Sequence, residues 1–259
     1  MIKAVFFDID GTLVSFNTHK VAQSSISALQ QLRRKGIKTF IATGRHPLAI
    51  NMLGNLEFDG YVCINGGLCL EGKENTIYQH TIQKKDIETL VNYMETKNNF
   101  PAIVVQKDES FSNFFDEKVY QILELLDFPA PPQKSISHAL DSDVFQVIAF
   151  FNNETEQDVL THLPHCETTR WHPSFGDIIP LGSNKHIGID KIIEHFGIDI
   201  SETMAFGDGG NDITMLRHVN IGIAMGNAND EVKKSADYIT TSVDDDGIYN
   251  ALKHFGLVE

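Results

Sequence analysis

Four consecutive apolar residues, Ala4-Val5-Phe6-Phe7, lead into the turn-prone pair Asp10-Gly11. A run without polar alternation predicts a strand covered on both faces, as in parallel sheets. Val21, Ile26, Leu29 and Leu32 then recur at the spacing of one helix face, with Gly36 placed as a stop. A second buried strand, Thr39-Phe40-Ile41-Ala42, ends in Thr43-Gly44-Arg45. A short helix over Leu48 to Leu53 leads to a third strand, Tyr61-Val62-Cys63-Ile64, ending in Asn65-Gly66-Gly67. This alternation predicts an α/β fold with a doubly wound, mostly parallel, Rossmann-like core sheet.

The pattern changes after residue 67. Residues 68 to 81 read as a hairpin turning at Glu71-Gly72-Lys73-Glu74-Asn75. Helical stretches (Ile87 to Met94, Val119 to Leu126) then alternate with strand-like ones (Ala102 to Gln106, Val144 to Phe151, Asp177 to Pro180), and Pro129, Pro131 and Pro132 break the middle. After Gly182 the first rhythm resumes: helix Gly188 to Phe196, strand Met204 to Phe206, helix Ile213 to His218, strand Ile221 to Met225. The expected organisation is a core of 1–82 and 184–259, interrupted by a smaller α+β domain over 83–183.

Composition narrows the function classes. The chain has 259 residues and a net charge of −14, with 42% hydrophobic and 22% charged residues, the balance of a globular protein. Such an excess of acid argues against nucleic acid or an anionic membrane as partner, since both reward clustered Lys and Arg. No apolar run approaches the roughly 20 residues of a membrane span, and Met1-Ile2-Lys3-Ala4 opens into a strand rather than a signal peptide. A cytoplasmic location is therefore expected. Three cysteines, Cys63, Cys69 and Cys166, do not make a disulfide framework. No obligate protein partner is evident.

Two acidic loops carry the candidate chemistry. Asp8-Ile9-Asp10-Gly11-Thr12 follows the first strand, and a period of two sends Asp8 and Asp10 to the same side. Two such charges repel unless a cation or a shared proton intervenes. The alternative is an ordinary Asp-Gly turn; an EF-hand is disfavoured because Gly11 comes at the fourth position rather than the sixth. Gly207-Asp208-Gly209-Gly210-Asn211-Asp212 follows another strand and opens a helix, where backbone N–H groups suit an anion and carboxylates a hard divalent cation. It can also be read as a glycine-rich connector with a capping Asn or Asp. Both loops lie at carboxyl ends of parallel strands, where open α/β sheets bind ligands. Thr43 and Lys185 offer a hydroxyl and a positive charge.

The ordered set Asp8-x-Asp10-Gly11-Thr12, Thr43-Gly44-Arg45, Lys185 and Gly207-Asp208-Gly209-Gly210-Asn211-Asp212 resembles the haloacid dehalogenase superfamily of phosphatases. More narrowly, the chain is similar to the Cof-type sugar-phosphate phosphatases, whose large α/β cap (class IIB) is inserted after the third core strand. Asn65-Gly66-Gly67, Gly226-Asn227-Ala228 and Ala236-Asp237-Tyr238 also match. One departure is His186, where the family often has Gly after the motif Lys.

The resemblance implies hydrolysis of small phosphomonoesters, most simply sugar phosphates, with magnesium as cofactor. Asp8 would be the nucleophile and form an aspartyl phosphate, and Asp10 the acid and base. Magnesium would take Asp8, Asp208 and the Asp10 backbone carbonyl as ligands, oriented by Asn211 and Asp212. Thr43, Gly44 and Lys185 would hold the phosphate. Substrate choice is expected from Arg45 and from the cap residues Arg170, Trp171 and Asp177, which suit a polar sugar; filling the cap's own core is the alternative for Trp171. The competing functions are a phosphomutase with the same nucleophile, a phospho-acceptor switch, and an idle sugar-phosphate sensor. Gly67 to Glu74 nearly spells a P-loop, but Glu74 stands where Ser or Thr is required. His162, His165, Cys166 and His172 fit no common zinc spacing.

Overall fold

The computed structural model describes residues 1–126, 128–170 and 172–259. The chain divides into two compact units, Met1–Gln79 with Asn184–Glu259, and His80–Ser183. The first boundary falls before His80, so that His80, Thr81 and Ile82, which the sequence pattern assigns to the core, lie in the inserted unit. Ile82 is buried in the inserted unit's apolar cluster, and its N–H donates to the Val144 carbonyl.

The first unit begins with β1 (Ala4–Phe7), α1 (Gln23–Arg34), β2 (Lys38–Ala42), β3 (Gly60–Cys63), β4 (Leu68–Glu71) and β5 (Asn75–Gln79). All four residues of β1 are buried, as a strand paired in parallel with β2 on one side and with a later strand on the other must be. Between β2 and β3 the expected helix is replaced by two 3-10 turns, Pro47–Ala49 and Asn51–Leu53. Gly54, at φ +57°, ends the second before it can lengthen. The hairpin β4–β5 is antiparallel and turns at Gly72, φ +56°.

The inserted unit contains α2 (Lys84–Thr96), β6 (Ala102–Gln106), β7 (Ser110–Ser112), α3 (Glu117–Leu125), β8 (Val144–Ala149), α4 (Asn153–His162), β9 (Cys166–Thr169) and β10 (Gly176–Pro180). Its five strands form an antiparallel sheet in the order β7-β6-β8-β10-β9. Ala102, Val104, Val144, Val147, Ala149 and Ile178 pack against Ile87, Leu90, Val91 and Met94 of α2 and Val159 of α4. The chain entering and leaving this unit is tied by a 2.8 Å bond between the His80 ring and the Ser183 hydroxyl.

The first unit resumes with α5 (Lys185–Phe196), β11 (Thr203–Gly207), α6 (Ile213–His218), β12 (Ile221–Ala224), α7 (Asp230–Lys233), β13 (Tyr238–Ile239) and α8 (Gly247–His254). The sheet order is β13-β12-β11-β1-β2-β3-β4-β5, parallel from β13 to β3. Ile189, Ile192 and Ile193 of α5 and Met215 and Leu216 of α6 cover Ala4, Phe6, Phe40, Ala42 and Val62. Phe6 and Phe40 stack across β1 and β2 with centroids 4.8 Å apart, a contact worth about 1 kcal/mol beyond its burial. This α/β core fixes the carboxyl ends of β12, β11, β1, β2 and β3 side by side. Among the described residues no helix is long and apolar enough to cross a membrane.

Candidate active site

Each of those strand ends delivers a polar residue. Asp8 follows β1, Thr43 follows β2, Asn65 comes two residues after β3, Asp208 follows β11, and Asn227 comes after β12. Lys185 arrives from the other side of the sequence as the first residue of α5. The helix is started there by Asn184, whose side chain accepts the Ile187 N–H at 3.1 Å. Gly66, φ +92°, makes room for this start, since a Cβ there would lie 2.1 Å from the Asn184 carbonyl oxygen.

Lys185 is completely buried. Its Nζ donates to Asp8 Oδ1 at 2.6 Å and to Asp212 Oδ1 at 2.5 Å. Burial alone would lower the Lys185 pKa, but Asp212 and Asp8 more than offset this and hold it above the ordinary lysine range. The ammonium therefore stays charged. Asp212 Oδ2 accepts the backbone N–H groups of Asp208 (2.9 Å) and Gly209 (2.8 Å), so both of its oxygens are committed to shaping the loop. Gly207 is required at this point because a Cβ would lie 2.5 Å from that of Asp212.

Asp208 is oriented by the Thr12 hydroxyl, which donates to Oδ1 at 2.8 Å, and by the Asn227 amide, which reaches Oδ2 at 3.3 Å and the Gly11 carbonyl at 2.8 Å. Gly11 lies against the same carboxylate, at φ +80° and with its missing Cβ 2.2 Å from Asp208 Oδ2. Thr43 is buried and its hydroxyl accepts the Arg45 N–H at 3.1 Å, while Gly44 lies against the Asn65 amide. Asn211 donates to Asn65 Oδ1 at 3.0 Å, linking the loop after β11 to the end of β3. Thr12, Asn65 and Asn227 were legible only as parts of motifs. Their bonds to this cluster mark them as site residues that sequence reasoning missed.

Burial raises the Asp8 pKa well above its ordinary value; Lys185 opposes this, while Asp212, Asp208 and Asp10 add to it. Asp208 is pushed up to about 7, first by burial and then by the Asp212 charge, against Thr12 and Lys185. Burial comes first, and a charge imbalance adds to it: among the described residues Asp8, Asp10, Asp208 and Asp212 are faced by Lys185 and Arg45. One oxygen from each of Asp8, Asp208 and Asp212 lies within 4.8 Å of the others, the only such convergence of metal-capable side chains among the described residues. An all-oxygen, net-negative donor set suits a hard divalent cation. Among the described residues, Asp212 is held by the Lys185 ammonium and two backbone amides, whereas Asp208 receives the neutral Thr12 hydroxyl and Asn227 amide and Asp8 is held at Oδ1 alone. Asp8 and Asp208 are therefore the side chains better suited to serve the cation.

A family model for haloacid dehalogenase-like hydrolases matches residues 5–252. The chain belongs to this family. As a haloacid dehalogenase-like hydrolase of the Cof type it is a phosphoric monoester hydrolase. It is 45% identical to the HAD subclass IIB sugar phosphatase BT4131, with a TM-score of 0.91 over 99% of this chain and 100% of that one. The phosphatase BT1666 from Bacteroides thetaiotaomicron is 37% identical, with a TM-score of 0.91 over 100% of this chain and 96% of that one. The Bacillus subtilis protein YkrA is 32% identical over 99% of both chains.

The remaining expected residues are more widely spread. Arg45 grips Asp10, with Nε to Oδ2 at 2.7 Å and Nη2 to Oδ1 at 2.8 Å, and its Nη1 donates to the Ala49 carbonyl. In the inserted unit, Arg170 bonds Glu156 of α4 through Nε and Nη2 and the Phe175 carbonyl through Nη1 at 2.8 Å, closing its own loop. Asp177 is buried on β10, and Trp171 lies outside the described residues. His186, the departure from the family pattern, packs its ring on His218 at 5.0 Å without disturbing Lys185.

Proposed function

We propose that the enzyme is a magnesium-dependent sugar-phosphate phosphatase working through an aspartyl phosphate on Asp8. The observation that carries this reading is the state of the Asp8 carboxylate. Lys185 holds Oδ1, while Oδ2 has no hydrogen-bond partner among the described residues. One oxygen is thus anchored and the other is available as a nucleophile.

Asp8 Oδ2 attacks phosphorus and the bond to the leaving oxygen breaks, with Asp10 supplying that oxygen's proton. Asp10 then takes a proton from the water that attacks the aspartyl phosphate. The Asp8 oxygen–phosphorus bond breaks and inorganic phosphate leaves. The Thr43 hydroxyl, the Gly44 N–H and Lys185 bind the non-bridging oxygens, on which charge builds during transfer. Magnesium would be held by Asp8, Asp208 and the Asp10 carbonyl, and when bound it would neutralise charge between carboxylate and phosphate. Asn211, through Asn65, and Asp212, through the amides of residues 208 and 209, keep the loop in shape.

A sugar phosphate as substrate is supported by the likeness to the sugar phosphatase BT4131. Substrate choice is assigned to Arg45 and to the inserted unit, with Arg170, Trp171 and Asp177 as its candidates. The test is phosphate release from hexose, pentose and triose phosphates, with and without magnesium, for wild type and Asp8→Asn. Magnesium-dependent release abolished by that substitution is the expected result. Release that survives it would overturn the nucleophile, and an isomerised sugar phosphate in place of free phosphate would indicate a mutase.

A further inference from the structure

Immediately after β3, Ile64 and Asn65 both take left-handed backbone angles, φ +52° and +50°, and Gly66 follows at +92°. Such angles are natural for Gly and tolerated by Asn, but they strain a β-branched residue. Both Ile64 and Asn65 are buried, so the surrounding structure holds the strain in place.

The hydrogen bonds show what the strain achieves. In an extended strand successive N–H groups point to opposite edges. Here two in succession turn to the same neighbour: the Ile64 N–H donates to the Arg45 carbonyl and the Asn65 N–H to the Thr43 carbonyl, both at 3.1 Å. The two carbonyls that flank Gly44 are thereby tied down from one side. The Asn65 amide lies against Gly44 itself, where a Cβ would come within 3.1 Å of Oδ1, and that oxygen accepts from Asn211 at 3.0 Å. A glycine at position 65 would keep both backbone bonds with less strain, but it would lose the link to Asn211. The side chain therefore sets the distance between two loops, the one assigned to phosphate and the one that carries Asp208, and is not needed to make the turn.

We infer that Asn65 is a positioning residue: from a left-handed backbone it holds Thr43 and Gly44 in a fixed place relative to the loop of Asn211, so that the donors to the transferring phosphoryl group need not reorganise. This rests on the proposed phosphatase reading and deepens it. Donors fixed in advance matter most when charge builds on the phosphoryl oxygens, so the loss should fall on the transition state and not on ground-state binding. Asn65→Gly suits the left-handed backbone and removes the side chain. On a hexose 6-phosphate it should lower kcat about tenfold with KM changed by less than about twofold. It should weaken inhibition by orthovanadate, a five-coordinate mimic of the transition state, about as much, while inhibition by inorganic phosphate and Tm stay nearly unchanged. Asn211→Ala, which leaves the turn intact, should give a similar loss, and the double variant no more than the larger single one, since both remove the same link. Unchanged kcat, an equal loss of vanadate and phosphate inhibition, or additive losses in the double variant would each overturn the inference and leave Asn65 a residue of the turn alone. Failure of the parent reading shows separately, as wild-type release that is independent of magnesium or survives Asp8→Asn.

Discussion

Arg45 and Asp10 form a two-point ion pair in which each carboxylate oxygen receives its own guanidinium nitrogen, at 2.7 and 2.8 Å. The side chains are 10% and 19% exposed, so the pair is shielded enough to hold its geometry. In the proposed mechanism Asp10 must protonate a leaving oxygen, and an unpaired carboxylate would sample several rotamers. Arg45 therefore restricts where Asp10 points before substrate arrives, and it must yield one oxygen when the leaving group comes in.

Arg45→Ala should lower kcat by about tenfold to a hundredfold on an alkyl phosphate, part of the 10²–10⁴ that a positioned acid contributes. Asp10→Asn should cost the whole of it. The loss should shrink on p-nitrophenyl phosphate in single-turnover measurements, because p-nitrophenolate leaves without a proton. Arg45→Lys should restore little, since an ammonium cannot engage both oxygens in one plane. An equal loss on both substrates would argue that Arg45 acts only in binding.

Lys185 balances two buried carboxylates, so its removal exposes each to the other. Lys185→Met should destabilise the fold by about 3–5 kcal/mol, the cost of breaking a buried ion pair from one side. Asp212→Asn should cost less, because the remaining Asp8–Lys185 pair still neutralises both charges. Chemical denaturation of the variants measures this directly. Equal stability of Lys185→Met and wild type would mean that the ion pair does not govern the packing of β1 against α5.

Much of this was legible because it is local or periodic. The runs Ala4–Phe7 and Phe40–Ala42 carry no polar residue, and the acidic loops follow runs of this kind directly. Elements without an apolar stripe were not legible. Helix α4 buries only Val159, β9 is the mostly polar Cys-Glu-Thr-Thr, and β13 has two residues. Arg45 was read as facing substrate because its partner lies 35 residues away, and only tertiary convergence brings Asp10 to it. The boundary at residue 80 was displaced for a similar reason, since the affiliation of Ile82 is set by its bond to Val144.

Gly11 offers a way to perturb metal binding without touching a ligand. A Cβ there would overlap Asp208 Oδ2 at 2.2 Å, whereas a Cβ at Gly36, also left-handed at φ +74°, meets nothing within 4 Å. Both Gly→Ala changes pay about 1–2 kcal/mol of backbone strain. Only Gly11→Ala should also raise the magnesium concentration needed for half-maximal activity, with excess magnesium recovering part of the rate. If Gly36→Ala shifts the magnesium requirement equally, the effect is one of general stability.

The pH dependence of stability should report the charge imbalance itself. Asp208 moves from an unfolded value of about 3.9 to about 7 in the metal-free fold, so between these values the folded state binds more protons than the unfolded one. Stability from this group is therefore fullest below pH 4 and is lost as pH rises through 7. Metal-free Asp208→Asn should accordingly match wild type only below pH 4, melt slightly higher than it at pH 5 and exceed it by most at pH 8, once the wild-type carboxyl has ionised in the fold as well. Magnesium should reverse the order for wild type alone. It binds only the folded, deprotonated cluster, so its stabilising effect at pH 8 should reach about 2.7 kcal/mol at a hundredfold excess over Kd and fade toward pH 5 as protons compete. Thermal melts of both proteins at pH 5 and 8, with magnesium or with EDTA, separate these effects. A magnesium increment of equal size at both pH values, or one that persists in Asp208→Asn, would place the cation elsewhere than on the Asp8–Asp208 pair.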